Sequence, residues 1–567
     1  MLIEGGLTVT AFALPFALPN LGSGLFARIE RAFRHVARHK GYAVTAVGLA
    51  ALLLRLAILP FCPIPLQFVP NDFSFLLAAS TFLRGRLANP TPAMWIHFES
   101  IHITMQPTYS SMYFPSVGLV LAAGKLLFGN PWFGELCVSA LMCAAICWML
   151  QAWLPPGWAL LGGILALLRL GLFSYWINTY NCGGSVAALA GALVLGALPR
   201  LTRAPRLRYG LLLAAGIAIL AITRPYEGLL LCLPVAIYLG RWLLRGKSRP
   251  STGALIRLSA LPLAVVLAVV AWLGYYDYRA FGKPTTLPYT VDRATYAIAP
   301  YYVWQSPNPA PDYHHEVLRS FYAQSEMSSF SKIHTLAGFL PQTLLKVARS
   351  FEFYAGFALL LPLIMIRRVF LDRRIRFLVL CVLVLAAGMA IEIFLVPHYL
   401  APFTAAFYAI GLQAMRHLRL WRPGDQPVGL TMVRLDVAIC LILAGLRLLP
   451  GPLHFALPEW PVSSWTDTWY GPDHFGTERA RVASGMEQLP GQQLVIVRYS
   501  PRHNPLDEWV YNAPDIDDSK VVWAREMDAP HNLELMHYYA NRKMWLVEPD
   551  SLPAAVSPYP ATPQVTR

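Results

Sequence analysis

The chain has 567 residues, 56% hydrophobic and only 14% charged, with a formal net charge of +15. A soluble globular chain carries about a quarter charged residues, so this composition excludes an ordinary water-soluble domain. The apolar residues come in blocks of about 14 to 22, close to what crosses a ~30 Å hydrocarbon core, and not in the ~10-residue alternating segments of a β-barrel. The excess of arginine falls in short loops between apolar runs, which is the positive-inside pattern of a membrane protein and not a nucleic-acid surface. The eight cysteines form no CxxC pair, and most sit inside apolar runs. They read as packed thiols and not as a disulfide framework or zinc site.

In chain order, residues 1–20 are apolar but lack a basic leader and carry two prolines, so they do not read as a cleavable signal. Residues 24–40 combine helical apolar spacing with many basic positions, which predicts a cytoplasmic or interfacial segment over 1–40. Apolar runs follow near 42–61, 115–130, 133–153, 158–174, 184–199, 209–222, 227–240, 258–275, 353–366, 377–395, 400–415 and 430–449. Four arginine-rich loops separate them: Arg200 to Arg208, Arg241 to Arg249, Arg367 to Arg374 and Arg416 to Arg422. Placing all four on the cytoplasmic side requires an even number of crossings before Arg200, so one of the first five runs should not cross. The 115–130 run is short and holds Lys125, and it is expected to lie in or re-enter the outer face.

These considerations predict an α-helical polytopic membrane protein with about eleven spans. The membrane domain covers 41–450, with outer loops 62–132 and 276–350. The runs 209–222 and 227–240 are each about 14 residues, or ~21 Å of helix, so their connecting turn at Thr223 to Glu227 should lie below the outer surface in a cavity wall. After residue 450 the character changes. Strand-like runs at 494–499, 520–524 and 544–548, with helix-like stretches at 477–488 and 531–541, predict a small outer α/β domain over 451–567. No glycine-rich phosphate loop follows these strands.

The polar outliers define the candidate site. Asp72 and Glu99 are the acids of the first outer loop. Either can act as a general base or help bind a metal, and Asn71 or Asp72 can equally cap the helix that follows. His97, Glu99 and His102 form HFESIH, which lacks the HExxH spacing of a zinc helix. Arg224 and Glu227 can pair with each other, or Arg224 can present its planar fork to a lipid-linked phosphate. Tyr226 lies between them. Asn178 and Tyr180 sit in the outer turn YWINTYNCGG, where aromatics belong to the interface and the amide could reach a sugar. His398 and Tyr399 follow a run containing Glu392 and could touch phosphate or sugar.

Taken together, a first span, an outer loop with a polar-acidic pair, many further spans and an outer C-terminal domain resemble the GT-C superfamily of polytopic glycosyltransferases. That superfamily includes the protein O-mannosyltransferases and the lipid A aminoarabinose transferase. NDFSFLLAASTFLRGRLANP resembles the acidic segment of bacterial members, and YWINTYNCGG, TRPYEG, YYDYRAFGKP and PHYLAP resemble a bacterial branch of this architecture. The resemblance covers roughly 40 to 450. It implies a bacterial inner-membrane enzyme that moves a sugar from a polyprenyl-phosphate donor to an acceptor at the outer face. An outer-loop carboxylate, Asp72 or Glu99, would be the base. Arg224, His398 and Tyr399 would meet the donor phosphate, and Asn71, His97, His102, Asn178, Tyr180, Tyr226 and Glu227 would line the cavity. A divalent metal is compatible with the resemblance but not required by the residues. One departure stands out: where such families have Asp-Glu, this chain has Asn71-Asp72, and an amide cannot accept the proton. The alternatives are a transporter or flippase of a lipid-linked solute, which should show paired broken helices in an internal repeat, and a catalytically weak lipid-binding protein of the same shape.

Overall fold

The computed structural model describes residues 2–245, 250–449 and 476–560. The expected basic positions Lys247 and Arg249, the 450–475 connection and the last residues from 561 lie outside the described residues. Six helices are long and apolar enough to cross a membrane: Lys40–Ala57, Trp132–Trp153, Gly183–Arg203, Pro225–Arg245, Thr252–Phe281 and Val428–Leu446. A seventh crossing is available if Leu336–Tyr354 and Ala358–Leu371, bent by 113° at their junction, act as one. Five shorter apolar helices accompany them. Length and composition thus mark six or seven crossings among the described residues, against about eleven expected. The difference lies in runs such as 209–222 and 377–395, which fold as Leu207–Ala221 and Arg376–Ile391, of 15 and 16 residues.

One local expectation changes. The run expected to begin at 227 starts at Pro225 and continues to Arg245, 21 residues in all, so only the helix before the turn is short. Leu2–Ala17 packs against Val428–Leu446. Glu4 Oε1 accepts from the Ala358 N–H (3.3 Å), and Phe16 meets Trp421 edge to face. The amphipathic helix Ser23–Arg38 follows it, with Glu30 paired to Arg419 and Arg434. At this end of the bundle the arginine-rich loops also converge. Arg203 donates to the Ala152 carbonyl, His417 faces Asp372 (3.2 Å), and Trp153 stacks on Phe377.

The opposite end is built from the first loop. Ser116–Phe128 has 13 residues, about 20 Å of helix, and it packs against Pro70–Leu83 and Trp132–Trp153. Gly134 makes the tight return possible, because a Cβ there would sit 2.1 Å from the Val120 carbonyl oxygen. The C-terminal domain is a four-stranded sheet with two helices, Thr477–Gln488 and Ala529–Tyr538. Its strands run in the spatial order Val521–Arg525, Gln493–Val497, Lys543–Glu548, Ala555–Pro558. The first three are parallel and the last antiparallel.

This domain docks on the first loop. Leu77, Phe98, Ile103 and Tyr109 share one hydrophobic core with Leu494, Ile496, Val522 and Leu535. Phe73 stacks on Tyr511, and Arg84 and Arg86 pair with Asp515 at 2.8 and 2.5 Å. Loop and domain thus share one dry core and form a single body.

Candidate functional site

The site forms where the Leu207–Ala221 helix breaks. Pro225 disfavours helical backbone at the residue before it and has no N–H to continue the ladder, so the chain ends one helix at Ala221 and starts another at Pro225. Arg224 stands in the break, nine-tenths buried. Its guanidinium lies over the Tyr399 ring at 4.4 Å, and its nearest carboxylate oxygen, on Glu227, is 3.7 Å away. That separation is longer than a hydrogen bond. Among the described residues the guanidinium makes no hydrogen bond, so its donor fork is available to an oxyanion. Tyr289, Tyr113 and the buried Glu392 also lie within its electrostatic surroundings.

Tyr399 belongs to the Pro397–Phe403 turn, which lies directly against the Gly183–Arg203 helix. A Cβ at Gly191 would come within 1.8 Å of the Pro402 carbonyl oxygen. Beside it His398 is locked: its Nδ1 accepts from the Tyr175 hydroxyl (2.7 Å), and its backbone N–H donates to the same oxygen (3.1 Å).

The first loop meets this centre through Asn71 and not through Asp72. Asn71 Nδ2 donates to the Tyr113 hydroxyl (2.6 Å), which in turn donates to His102 Nδ1 (3.1 Å). Burial pushes His102 down to about 3, so its imidazole is neutral and free to accept. His102 takes a left-handed φ of 66°, uncommon for a residue with a side chain, and its ring is wedged between Tyr113 and Phe321. Successive residues of a helical turn point about 100° apart, and Asp72 accordingly faces the other way. Its Oδ1 accepts the Tyr180 N–H (3.1 Å), its Oδ2 has no partner, and the buried Glu135 is its charged neighbour. Burial pushes Asp72 up to about 7, against the N–H groups of Phe68, Tyr180 and Val69 that favour its charge.

Of the residues expected to share one cavity, the structure brings together Asn71, His102, Arg224, Glu227, His398 and Tyr399. Tyr226 stands at the rim, its hydroxyl donating to the Gly388 carbonyl (3.0 Å). Others have different partners. Glu99 is held by the Tyr296 hydroxyl (2.9 Å) and His314 Nδ1 (2.8 Å), and burial raises it above the usual carboxylate range. His97 lies in the domain interface, where Nδ1 donates to the Arg525 carbonyl (3.0 Å). Asn178 accepts from Arg55 (3.0 Å) and Cys62, and it donates to Leu172 and Ser174, so it ties a turn together. Tyr180 contributes its backbone to Asp72, which places it on that acid's side. Among the described residues no three His, Cys, Asp or Glu side chains gather in a way that would hold a metal ion.

The 276–350 loop supplies residues that sequence reasoning missed. Tyr289 packs edge to face on Tyr113, and Arg293 pairs with Glu326 (2.7 Å) beneath Tyr301. Asp292 is fully buried and pushed up to about 7, and its Oδ1 is without a partner. The available signal was an acid–base pair inside an aromatic-dense stretch, 288–302.

Solved structures of similar arrangement include an archaeal oligosaccharyltransferase and ArnT. The oligosaccharyltransferase of Archaeoglobus fulgidus, solved with Zn and sulfate, matches with a TM-score of 0.48 at 12% identity, over 89% of this chain and 67% of that one. ArnT from Cupriavidus metallidurans, solved bound to undecaprenyl phosphate, matches with a TM-score of 0.47 at 11% identity, over 89% and 92%. The Archaeoglobus fulgidus AglB complex with an inhibitory peptide and a dolichol-phosphate matches at 0.42 and 10% identity, over 88% and 69%. Likeness at this level concerns chain arrangement alone. No protein-family model matches the chain, and neither does any curated protein.

Proposed function

We infer that the chain is a membrane glycosyltransferase that moves a sugar from a polyprenyl-phosphate donor to an acceptor at the face carrying the first loop and the C-terminal domain. The observation that carries this reading is Arg224: a buried guanidinium in a helix break, stacked on Tyr399, whose donors are left for an oxyanion. A planar fork of that kind matches phosphate oxygens, and an ionisable group at membrane depth is retained for function. The motif resemblance around Asn71-Asp72 supplies the sugar.

In the proposed step the acceptor oxygen attacks the anomeric carbon and its proton passes to the Asp72 carboxylate, which turns from the Tyr180 wall past Asn71 to reach it. The bond from the anomeric carbon to the phosphate oxygen breaks, and its electron pair leaves with the phosphate. Arg224 meets the added negative charge there, preorganised by Tyr399 and Glu227. A carboxyl held near 7 with one free oxygen is well matched to taking a proton near neutral pH. Asn71 orients Tyr113 and His102 beside the reacting centre and takes no proton. The reading is tested by binding undecaprenyl phosphate to the purified protein. Saturable binding that Arg224→Ala removes supports it, and binding indifferent to Arg224 ends it. A transporter would need a second broken-helix element in internal repeat. The Leu336–Tyr354 and Ala358–Leu371 bend is a second break, but the arginine beside it, Arg169, spends its donors on the Phe353 and Glu352 carbonyls, so it does not repeat the open fork of Arg224.

A further inference from the structure

The Arg224 centre accounts for a donor and leaves the acceptor without a place. A second opening lies at the same face, between the first loop and the second: a small cleft partly open to solvent. Trp95, Tyr296 and Tyr313 form its walls, Glu99 its inner end, and Asp312 and His314 its mouth. It is a built site. Glu99 is only 2% exposed, and both of its oxygens are oriented, one by the Tyr296 hydroxyl and one by His314. Tyr313 donates to the Tyr296 carbonyl (2.7 Å), and Trp95 packs edge-on against His314. His314 is exposed at the mouth, so a ligand can take its position on Glu99 without disturbing the core.

The lining is selective by charge. It contains two carboxylates and no lysine or arginine, so a phosphate or carboxylate group would meet repulsion, with the His314 imidazole at the mouth as the one lining group able to carry a compensating charge. Aromatic faces beside carboxylate acceptors instead suit a ligand with apolar C–H faces and outward hydroxyl or amine donors. The cleft also adjoins the donor centre. Tyr296 stacks on Tyr322, and the Tyr322 hydroxyl reaches Asp292 (3.4 Å), which lies within the electrostatic surroundings of Tyr289 and Tyr113. One layer of tyrosines separates the two.

We propose that this cleft is the acceptor subsite of the transfer reaction inferred above, and that it takes a saccharide free of phosphate and carboxylate groups, neutral or amine-bearing. Trp95 and Tyr313 cover the sugar faces, while Asp312 and Glu99 accept from its donors. The subsite holds the acceptor at a distance from its reacting hydroxyl. It is therefore expected to govern acceptor affinity and not the chemical step.

The experiment titrates the purified full chain with four probes, followed by saturation-transfer NMR: maltotriose, the glucosamine trimer, the galacturonic acid trimer and a lysine-containing hexapeptide. Undecaprenyl phosphate binding is measured in parallel. The expected result is saturable binding of the first two probes and none of the acidic trimer. Asp312→Asn, at an exposed position that does not threaten folding, should weaken binding about three- to tenfold, the worth of one hydrogen bond. Trp95→Ala should weaken it by about tenfold or more. Both variants should bind undecaprenyl phosphate as the unaltered protein does. Absence of saccharide binding, or binding untouched by both substitutions, overturns the subsite, and binding of the hexapeptide alone reassigns the cleft to a peptide acceptor. Failure of the transferase reading appears separately, as loss of Arg224-dependent undecaprenyl phosphate binding in the unaltered protein.

Discussion

Asp72→Asn should separate stability from activity in opposite directions. The Asp72 carboxyl is fully buried and sits near 7 instead of 3.8, chiefly because burial penalises its charge. The folded state therefore holds the proton more tightly than the unfolded chain does. Stability is at its fullest below 3.8 and falls as pH rises toward about 7. The gap between the two values corresponds to roughly 4 kcal/mol, all of it lost above that range. Asparagine keeps the acceptor for the Tyr180 N–H and never ionises, and its new N–H₂ faces the side where Glu135 has unpartnered oxygens. Melting followed by intrinsic fluorescence in detergent, at one scan rate from about pH 5 to pH 8.5, should show the unaltered protein losing stability with pH while the variant loses less. At the alkaline end the variant should be the more stable of the two. Transfer should fall about 10²–10⁴-fold with the base removed, and in the unaltered protein it should rise with pH through about 7 as the carboxylate forms. An unchanged pH slope of melting in the variant would show that Asp72 is not the ionising group, and full transfer activity would remove it as the base.

Arg224→Lys keeps the charge and loses the planar fork, so undecaprenyl phosphate should bind about ten- to a hundredfold more weakly; equal binding would leave only a point charge at the site. Glu508→Gln strands the Arg525 guanidinium, which is 2% exposed and paired to Glu508 at 2.6 Å. The expected cost is about 3–5 kcal/mol, read as faster hydrogen exchange in Val521–Arg525, and unchanged exchange would mean that the pair does not hold the domain. Tyr113→Phe removes the hydroxyl between Asn71 and His102 and leaves two polar groups unpaired, a loss of about 1–3 kcal/mol in unfolding measurements. On a background without native cysteines, Pro205→Cys and Lys520→Cys should label from opposite sides with an impermeant maleimide, and same-side labelling would end the proposed topology.

What was legible in the chain depended on how local the signal was. The positions of the C-terminal strands and of Thr477–Gln488 could be read because alternation and helical spacing are short-range patterns. The fourth strand, Ala555–Pro558, is short and exposed, with little alternation, and it gave no such signal. Arg224 stood out because a cation beside proline inside an apolar region needs a reason wherever the chain goes. Asn71 and Asp72 show the limit. Their adjacency suggested one shared site, but the helical turn starting at Pro70 sends them to different walls, and only three-dimensional packing chooses which wall meets Tyr113. Tyr289, Asp292 and Arg293 were invisible as site residues because their role depends on the first loop, which is distant in the sequence.

The docking of the C-terminal domain also bears on which carboxylate can serve as the base. Between Arg84 and Pro115 the first loop has only a four-residue helical turn and two strands of two residues each, too little regular structure to hold its own shape. Its order is borrowed. Arg525 Nε donates to the Glu99 carbonyl (2.6 Å), Ser100 donates to Glu508 (2.9 Å), and the Tyr109 hydroxyl donates to the Asn512 carbonyl (2.9 Å). Glu99 is thus positioned by the domain. Asp72 is positioned by a fourteen-residue helix packed within the loop's own core and by the Tyr180 backbone. A group that must meet a reacting proton within a few tenths of an ångström belongs on the more rigid support, and a group that recognises varied hydroxyls tolerates the softer one. Loosening the docking with Glu508→Gln should therefore disturb the Glu99 cleft first. Saccharide binding should weaken while the pH midpoint of transfer, set by Asp72, stays where it was. A midpoint that moved with the docking would instead place the titrating carboxylate at Glu99.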